Sequence, residues 1–64
     1  PNPLSPRETD VLRLAADGQG VAEIAGALFL SPGTVRNHLS SAIGKTGART
    51  SAGAATTARD NGWL

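Results

Sequence analysis

Phe29 and Leu30 are all that separates two segments that both read as helix, and so short a joint leaves the chain few ways to fold. Upstream, Val21 to Leu28 sets Val21, Ile24, Ala25 and Leu28 on one stripe when turned at about 100° per residue. Downstream, Ser31 is a good N-cap, its side-chain oxygen free to take an unpaired amide of the first turn. Pro32 suits the first helical position, where its missing N–H costs nothing. The pattern runs on to Thr46, and Gly47 offers a left-handed C-cap, with Lys45 near the negative helix end. Helices joined so tightly must cross steeply, which is the helix-turn-helix arrangement.

In that arrangement the second helix is the one that enters a DNA major groove. Turned on a helical wheel, residues 32–46 put Val35, Leu39, Ala42 and Thr46 on one side, with Ile43 at its edge. The far side carries Gly33, Arg36, Asn37, Ser40 and Gly44. One forked cation, one amide, one hydroxyl and two glycines make a face that can come close to another surface and bond to it directionally. Taken alone, the same face is also what an ordinary solvated helix presents.

The ends of the chain extend the helical reading. Ser5-Pro6-Arg7-Glu8 forms a capping box, with Glu8 reaching back to the cap amide and Leu4 at the position of a hydrophobic staple. Val11, Leu12 and Ala15, with Leu14 at the margin, give the inward stripe of this first helix, and Gly18 stops it. Gly20 is a weaker cap for the second helix, with Glu23 three residues on. After a connector at Ala48 and Arg49, Thr50 caps a fourth helix over about residues 51–60, which Gly62 ends before Trp63 and Leu64. That helix is poor in bulk: Gly53 and two threonines lower its propensity. Its small residues suit either a self-association face or a thin cover over the core anchored by Trp63. With no strand-like alternation and no repeat, the fold class is all-α, four helices in a single domain over residues 1–64.

A chain of 64 residues without cysteine has neither disulfides nor a thiolate metal site to support a small core. No apolar run approaches membrane-spanning length and no signal peptide is evident. A net charge of +1 says little, but its distribution says more. Residues 1–23 hold Arg7 and Arg13 against Glu8, Asp10, Asp17 and Glu23. From Ile24 to Arg59 there are Arg36, His38, Lys45, Arg49 and Arg59 and no acid. The basic part contains the candidate recognition helix, which favours a phosphate-rich partner.

Catalytic chemistry has little material here. One histidine and no carboxylate pair at ligand spacing argue against a metal site, and Ser40 and Ser41 have no base beside them in the motif. Glu8 reads as a cap and His38 as a half-buried or phosphate-touching side chain. The expectation is a non-enzyme with no metal and no cofactor.

Leu4-Ser5-Pro6-Arg7-Glu8, Val11-Leu12, Gly18, Glu23-Ile24-Ala25, Leu28, Leu30-Ser31-Pro32-Gly33-Thr34-Val35-Arg36-Asn37-His38-Leu39, Ile43, Lys45 and Gly47-Ala48-Arg49 together resemble the LuxR/NarL/FixJ-type DNA-binding domain. The likeness covers nearly the whole chain. The Ser31–His38 run is most similar to response regulators of two-component systems. The resemblance implies a tetrahelical fold that reads duplex DNA with residues 32–46 as the output domain of a bacterial transcriptional regulator. An N-terminal receiver or ligand-binding domain would lie outside this chain. On the matching positions it implies base contacts from Arg36, Asn37 and Ser40, and backbone contacts from Ser31, Thr34, His38, Lys45 and Arg49. It makes the fourth helix a dimerisation element, here Ala52, Gly53, Ala55 and Thr56, giving a homodimer on paired half-sites. RNA polymerase as a partner belongs to the same expectation, and the cysteine-free, signal-free composition fits a cytoplasmic location.

Three positions depart from the family pattern. Gly20-Val21 replaces the usual Ser-Asn entry to the second helix, Thr46 stands on the core side where Leu is usual, and residues 52–57 lack the larger side chains common there. Region 4 of bacterial sigma factors shares the Glu-Ile-Ala…Gly-Thr-Val pattern, but the fourth helix and His38 argue against it. A protein-interaction module built on the fourth helix is the alternative from a different class.

Overall fold

Each helix begins where the sequence offers a cap. In the computed structural model, which describes residues 1–64, the Ser5 hydroxyl accepts the Glu8 N–H at 3.1 Å and Glu8 Oε1 accepts the Ser5 N–H at 2.8 Å, opening α1 (Pro6–Ala16). The start of α2 (Val21–Leu28) is Gly20, which has no side chain to cap with. The Glu23 carboxylate takes the Gly20 N–H at 3.0 Å and supplies half of the missing cap. Ser31 caps α3 (Pro32–Thr46) through the Thr34 amide at 3.1 Å, and Thr50 caps α4 (Ser51–Asp60) through the Gly53 amide at 3.0 Å. A side-chain cap of this kind contributes about 1 kcal/mol.

The stops follow the same logic with one exception. Gly18, Gly47 and Gly62 have φ of +89°, +72° and +74°, the left-handed region where glycine carries no steric penalty. After α2 the same conformation falls on Phe29, at φ 57° and ψ 41°. Its ring is 95% exposed, so nothing apolar compensates a strain of about 1–2 kcal/mol. What the turn gains is the Leu30 N–H bonded to the Ala25 carbonyl at 3.0 Å, which closes α2 and aims the chain into the Ser31 cap.

α3 lies against all three other helices, and α1 packs on α2 and α4 as well. Val11, Ile24, Ala25 and Val35 join α1, α2 and α3 into one cluster, which fixes the helix-turn-helix pair. Leu4, Leu12, Ala42, Ala54, Ala55 and Ala58 join α1, α3 and α4 into the other, and Leu39 packs against both. The α3 stripe expected from the sequence is therefore the buried one, with Val35 and Ala42 fully covered. Thr46 meets the core side without an unpaired hydroxyl, since its Oγ1 donates back to the Ala42 and Ile43 carbonyls at 3.0 Å.

Leu4 departs from the staple expected of it. The residue it would clasp, Thr9, is polar and bonds the Ser5 carbonyl at 3.0 Å, so Leu4 turns into the core instead. Trp63 and Leu64 close over the same cluster, tied down by the Trp63 N–H on the Ala58 carbonyl at 2.7 Å. No strand is present.

Candidate nucleic-acid interface

Burial of Val35 and Ala42 sets which face of α3 turns inward, and so puts Gly33, Arg36, Asn37, Ser40 and Gly44 outward. All five are exposed. A Cβ on Gly44 would meet nothing within 4 Å, and one on Gly33 only the Ser31 hydroxyl at 4.0 Å. Neither glycine is needed for packing. What their lack of side chain does is lower the surface on either side of Arg36, Asn37 and Ser40.

The residues expected at phosphates surround this face unevenly. Ser31 and Thr34 sit together at the α3 N-terminus, their hydroxyls 2.8 Å apart, where the helix dipole and the Gly33 amide, left over once Ser31 has taken the Thr34 N–H, favour an anion. His38 is half-buried on the flank, and Arg49 is exposed in the connector beyond Gly47.

Lys45 is the exception. Its Nζ donates to Glu8 Oε1 at 2.8 Å, and Ser41 Oγ donates to Glu8 Oε2 at 2.6 Å. The ammonium expected to face DNA is thus held by an internal carboxylate. Sequence reasoning found Glu8 as a cap and missed these partners, which lie 33 and 37 residues away.

Burial works to raise the Glu8 pKa. Hydrogen bonds from Lys45, Ser41 and the Ser5 N–H, with the Lys45 charge, outweigh it and hold the carboxyl at about 2 instead of the ordinary 4.5. A depressed folded-state pKa means that the unfolded chain binds the proton first. The contribution is full above pH 4.5 and is lost as the pH falls towards 2. Lys45 is 40% exposed, so solvent screening reduces the effect to about 1–2 kcal/mol. Acid unfolding followed by circular dichroism is expected to show Glu8→Gln less stable at neutral pH, with the gap closing below pH 4. A gap that stayed constant down to pH 2 would remove Glu8 from the acid transition.

The four residues assigned to a dimer face do not share one surface. Ala52 and Thr56 are exposed, whereas Ala55 is 4% exposed and belongs to the core with Ala54 and Ala58. Gly53 faces the chain's own connector, where a Cβ would come to 3.3 Å from Thr50 Oγ1 and 3.5 Å from Ala48 Cβ. The exposed stripe is Ala52, Thr56 and Arg59. With Ala15, Ala16 and Ser51 it rims a shallow groove of about 240 Å³ that has Ala55 as its floor.

The chain matches the family model described as bacterial regulatory proteins, luxR family, over residues 2–58. It belongs to the LuxR family. The solved structure of the transcription factor GerE superposes on it with a TM-score of 0.89 at 31% identity, over 95% of this chain and 91% of that one. Among curated relatives, the response regulator RamR of Streptomyces coelicolor is 48% identical over 61 residues, which is 95% of this chain and 30% of RamR. The uncharacterised transcriptional regulatory protein YvfU of Bacillus subtilis is 46% identical over 63 residues, 98% of this chain and 32% of YvfU. The chain thus spans about a third of the length of these relatives. It is a LuxR-type helix-turn-helix DNA-binding domain, and the four-helix fold expected of it is the one observed. No helix is long and apolar enough to cross a membrane.

Proposed function

We propose that this LuxR-family chain is the non-enzymatic output domain of a longer bacterial transcriptional regulator, reading duplex DNA with α3 in the major groove. The observation that carries this reading is the exposed row Arg36, Asn37 and Ser40 between two glycines. The Arg36 fork matches guanine O6 and N7, and the Asn37 amide matches adenine N6 and N7. Ser40, one turn on, is a short donor or acceptor. Ser31, Thr34, His38 and Arg49 flank the row and serve phosphates, which position the helix without reading sequence. Lys45 is left out of that set because Glu8 holds its ammonium.

RamR carries the name of a response regulator, and the stretch similar to this chain covers 30% of it. We therefore assign the rest of the regulator to an N-terminal receiver or ligand-binding domain, acting in the cytoplasm with RNA polymerase as eventual partner. Pairing of two chains through α4 is part of the same proposal, now confined to Ala52, Thr56 and Arg59 at the groove. So small a surface falls well short of the roughly 800 Å² per partner of a stable interface. The free chain should be monomeric and pair only on adjacent half-sites.

Enrichment of duplexes from a random-sequence pool tests the reading. A common motif should emerge, and affinity for it should fall with salt, each neutralised phosphate adding about 0.9 to the slope of log affinity against log salt. Failure to enrich any motif would sink the DNA-reading assignment. Equal affinity for one half-site and for a pair would remove pairing through α4.

A further inference from the structure

Glu8, Ser41 and Lys45 make the only side-chain hydrogen bonds that cross between helices; every other one spans four residues or fewer. We propose that Glu8 is a positioning residue for DNA recognition: it locks the rotation of α3 and keeps the Lys45 ammonium off the DNA phosphates. The proposal rests on the DNA-reading assignment above and adds a residue that lies on another helix, away from the reading face.

The argument starts from what else holds α3. Along its C-terminal half the buried members of the cluster it joins are Leu4, Leu12 and the small Ala54, Ala55 and Ala58, with Trp63 and Leu64 closing over them. Contacts between such side chains are non-directional, and they oppose a small turn of α3 about its axis less sharply than hydrogen bonds do. The same turn matters greatly outside. A rotation of about 20° carries a side-chain tip about 6 Å from the axis through about 2 Å, using ordinary helix dimensions. A paired hydrogen bond from Arg36 or Asn37 to a base edge does not survive that displacement.

Glu8 supplies the missing directionality. Ser41 and Lys45 are one turn apart on α3 and are held by the two oxygens of a single carboxylate, at 2.6 and 2.8 Å. Rotating α3 by this much pulls the short Ser41 hydroxyl off the carboxylate, while the longer Lys45 side chain must leave its present rotamer to follow. The carboxylate cannot follow, because Oε1 also accepts the Ser5 N–H at 2.8 Å and its side chain is only 7% exposed. One acid therefore ties the first turn of α1 to the second half of the recognition helix. Hydrogen-bonded groups of this kind specify one arrangement where apolar packing allows several.

The ion pair has a second effect. Lys45 is 40% exposed, close enough to solvent to reach a phosphate if released. Paired with Glu8, it adds little to the attraction between the domain and DNA of any sequence. Non-specific binding stays weak, and the face with Arg36 decides affinity.

The test uses a duplex enriched by the unaltered chain and a random duplex, with folding of each variant checked by circular dichroism. In Glu8→Gln the ratio of specific to random affinity should fall about tenfold. The salt slope on random duplex should steepen by about 0.9 as Lys45 gains a phosphate. Adding Lys45→Gln should return the slope to its starting value while leaving the ratio low. Ser41→Ala, which keeps the ion pair, should lower the ratio by a smaller factor at unchanged slope. If folded Glu8→Gln kept either its ratio or its slope, or lost both affinities by one factor, Glu8 would be a structural cap only and the proposal would fall. Should Glu8→Gln not fold, an unchanged ratio in Ser41→Ala overturns it. Failure of the unaltered chain to enrich any duplex would overturn the functional reading instead.

Discussion

Leu12→Ala should leave the chain only marginally folded at room temperature, close to its unfolding midpoint. Leu12 is fully buried, and its cluster contains Leu4 and four alanines as the other buried members. Alanine has no atoms to move into the space a leucine side chain leaves, so the cavity persists. Truncations of this kind cost about 2–5 kcal/mol, the upper end where the site cannot collapse. Only 11 of 64 residues are buried, so the domain sits near the low end of the usual range of about 5–15 kcal/mol. One substitution therefore removes most of the stability. Urea unfolding followed by circular dichroism measures it, and a loss below about 1 kcal/mol would mean that α1 and α4 close over the gap.

Arg36→Ala should do the reverse, leaving the fold intact and removing discrimination. Arg36 is exposed and has no partner within the chain that its loss would orphan. Its fork, if it reads a guanine, accounts for about 1–3 kcal/mol on the preferred duplex and little on a random one. Arg49→Ala is the natural comparison. Beyond the end of α3, it should weaken all duplexes alike and lower the salt slope by about one. Competition binding on enriched and random duplexes separates the two. Equal losses on both for Arg36→Ala would make it a phosphate contact and leave the base-reading role to Asn37 and Ser40.

Much of this architecture was open to reading before any coordinates, and the reasons differ by element. Caps at Ser5, Ser31 and Thr50 and stops at Gly18, Gly47 and Gly62 are local, decided within a few residues, and each lies where the sequence places it. The buried stripe of α3 was legible because Val35, Leu39 and Ala42 contrast with Arg36, Asn37 and Ser40 across the helix. α4 offered no such contrast. With alanine, glycine and threonine on every side, periodicity could not tell that Ala55 points inward and Ala52 outward. The Lys45 partner was hidden for another reason. Glu8 already had a complete local explanation as a cap, and nothing in a linear chain shows a carboxylate holding two further groups from another helix. Phe29 was missed because left-handed backbone is expected of glycine or asparagine, and here tertiary closure of the turn imposes it on an aromatic residue.

The alanines that join α4 to the rest also shape how the domain responds to heat. Alanine loses no side-chain rotamers on burial, so closing Ala42, Ala54, Ala55 and Ala58 together costs backbone order alone. The same residues expose little apolar area when the helices part. The heat-capacity increase of unfolding grows with that area, so it should lie below the usual 12–15 cal/mol/K per residue, an order-of-magnitude scale for globular chains. A small heat-capacity change flattens the curve of stability against temperature. The domain would then be only modestly stable at its best, but nearly as stable some tens of degrees away, and it would melt gradually rather than at a sharp point.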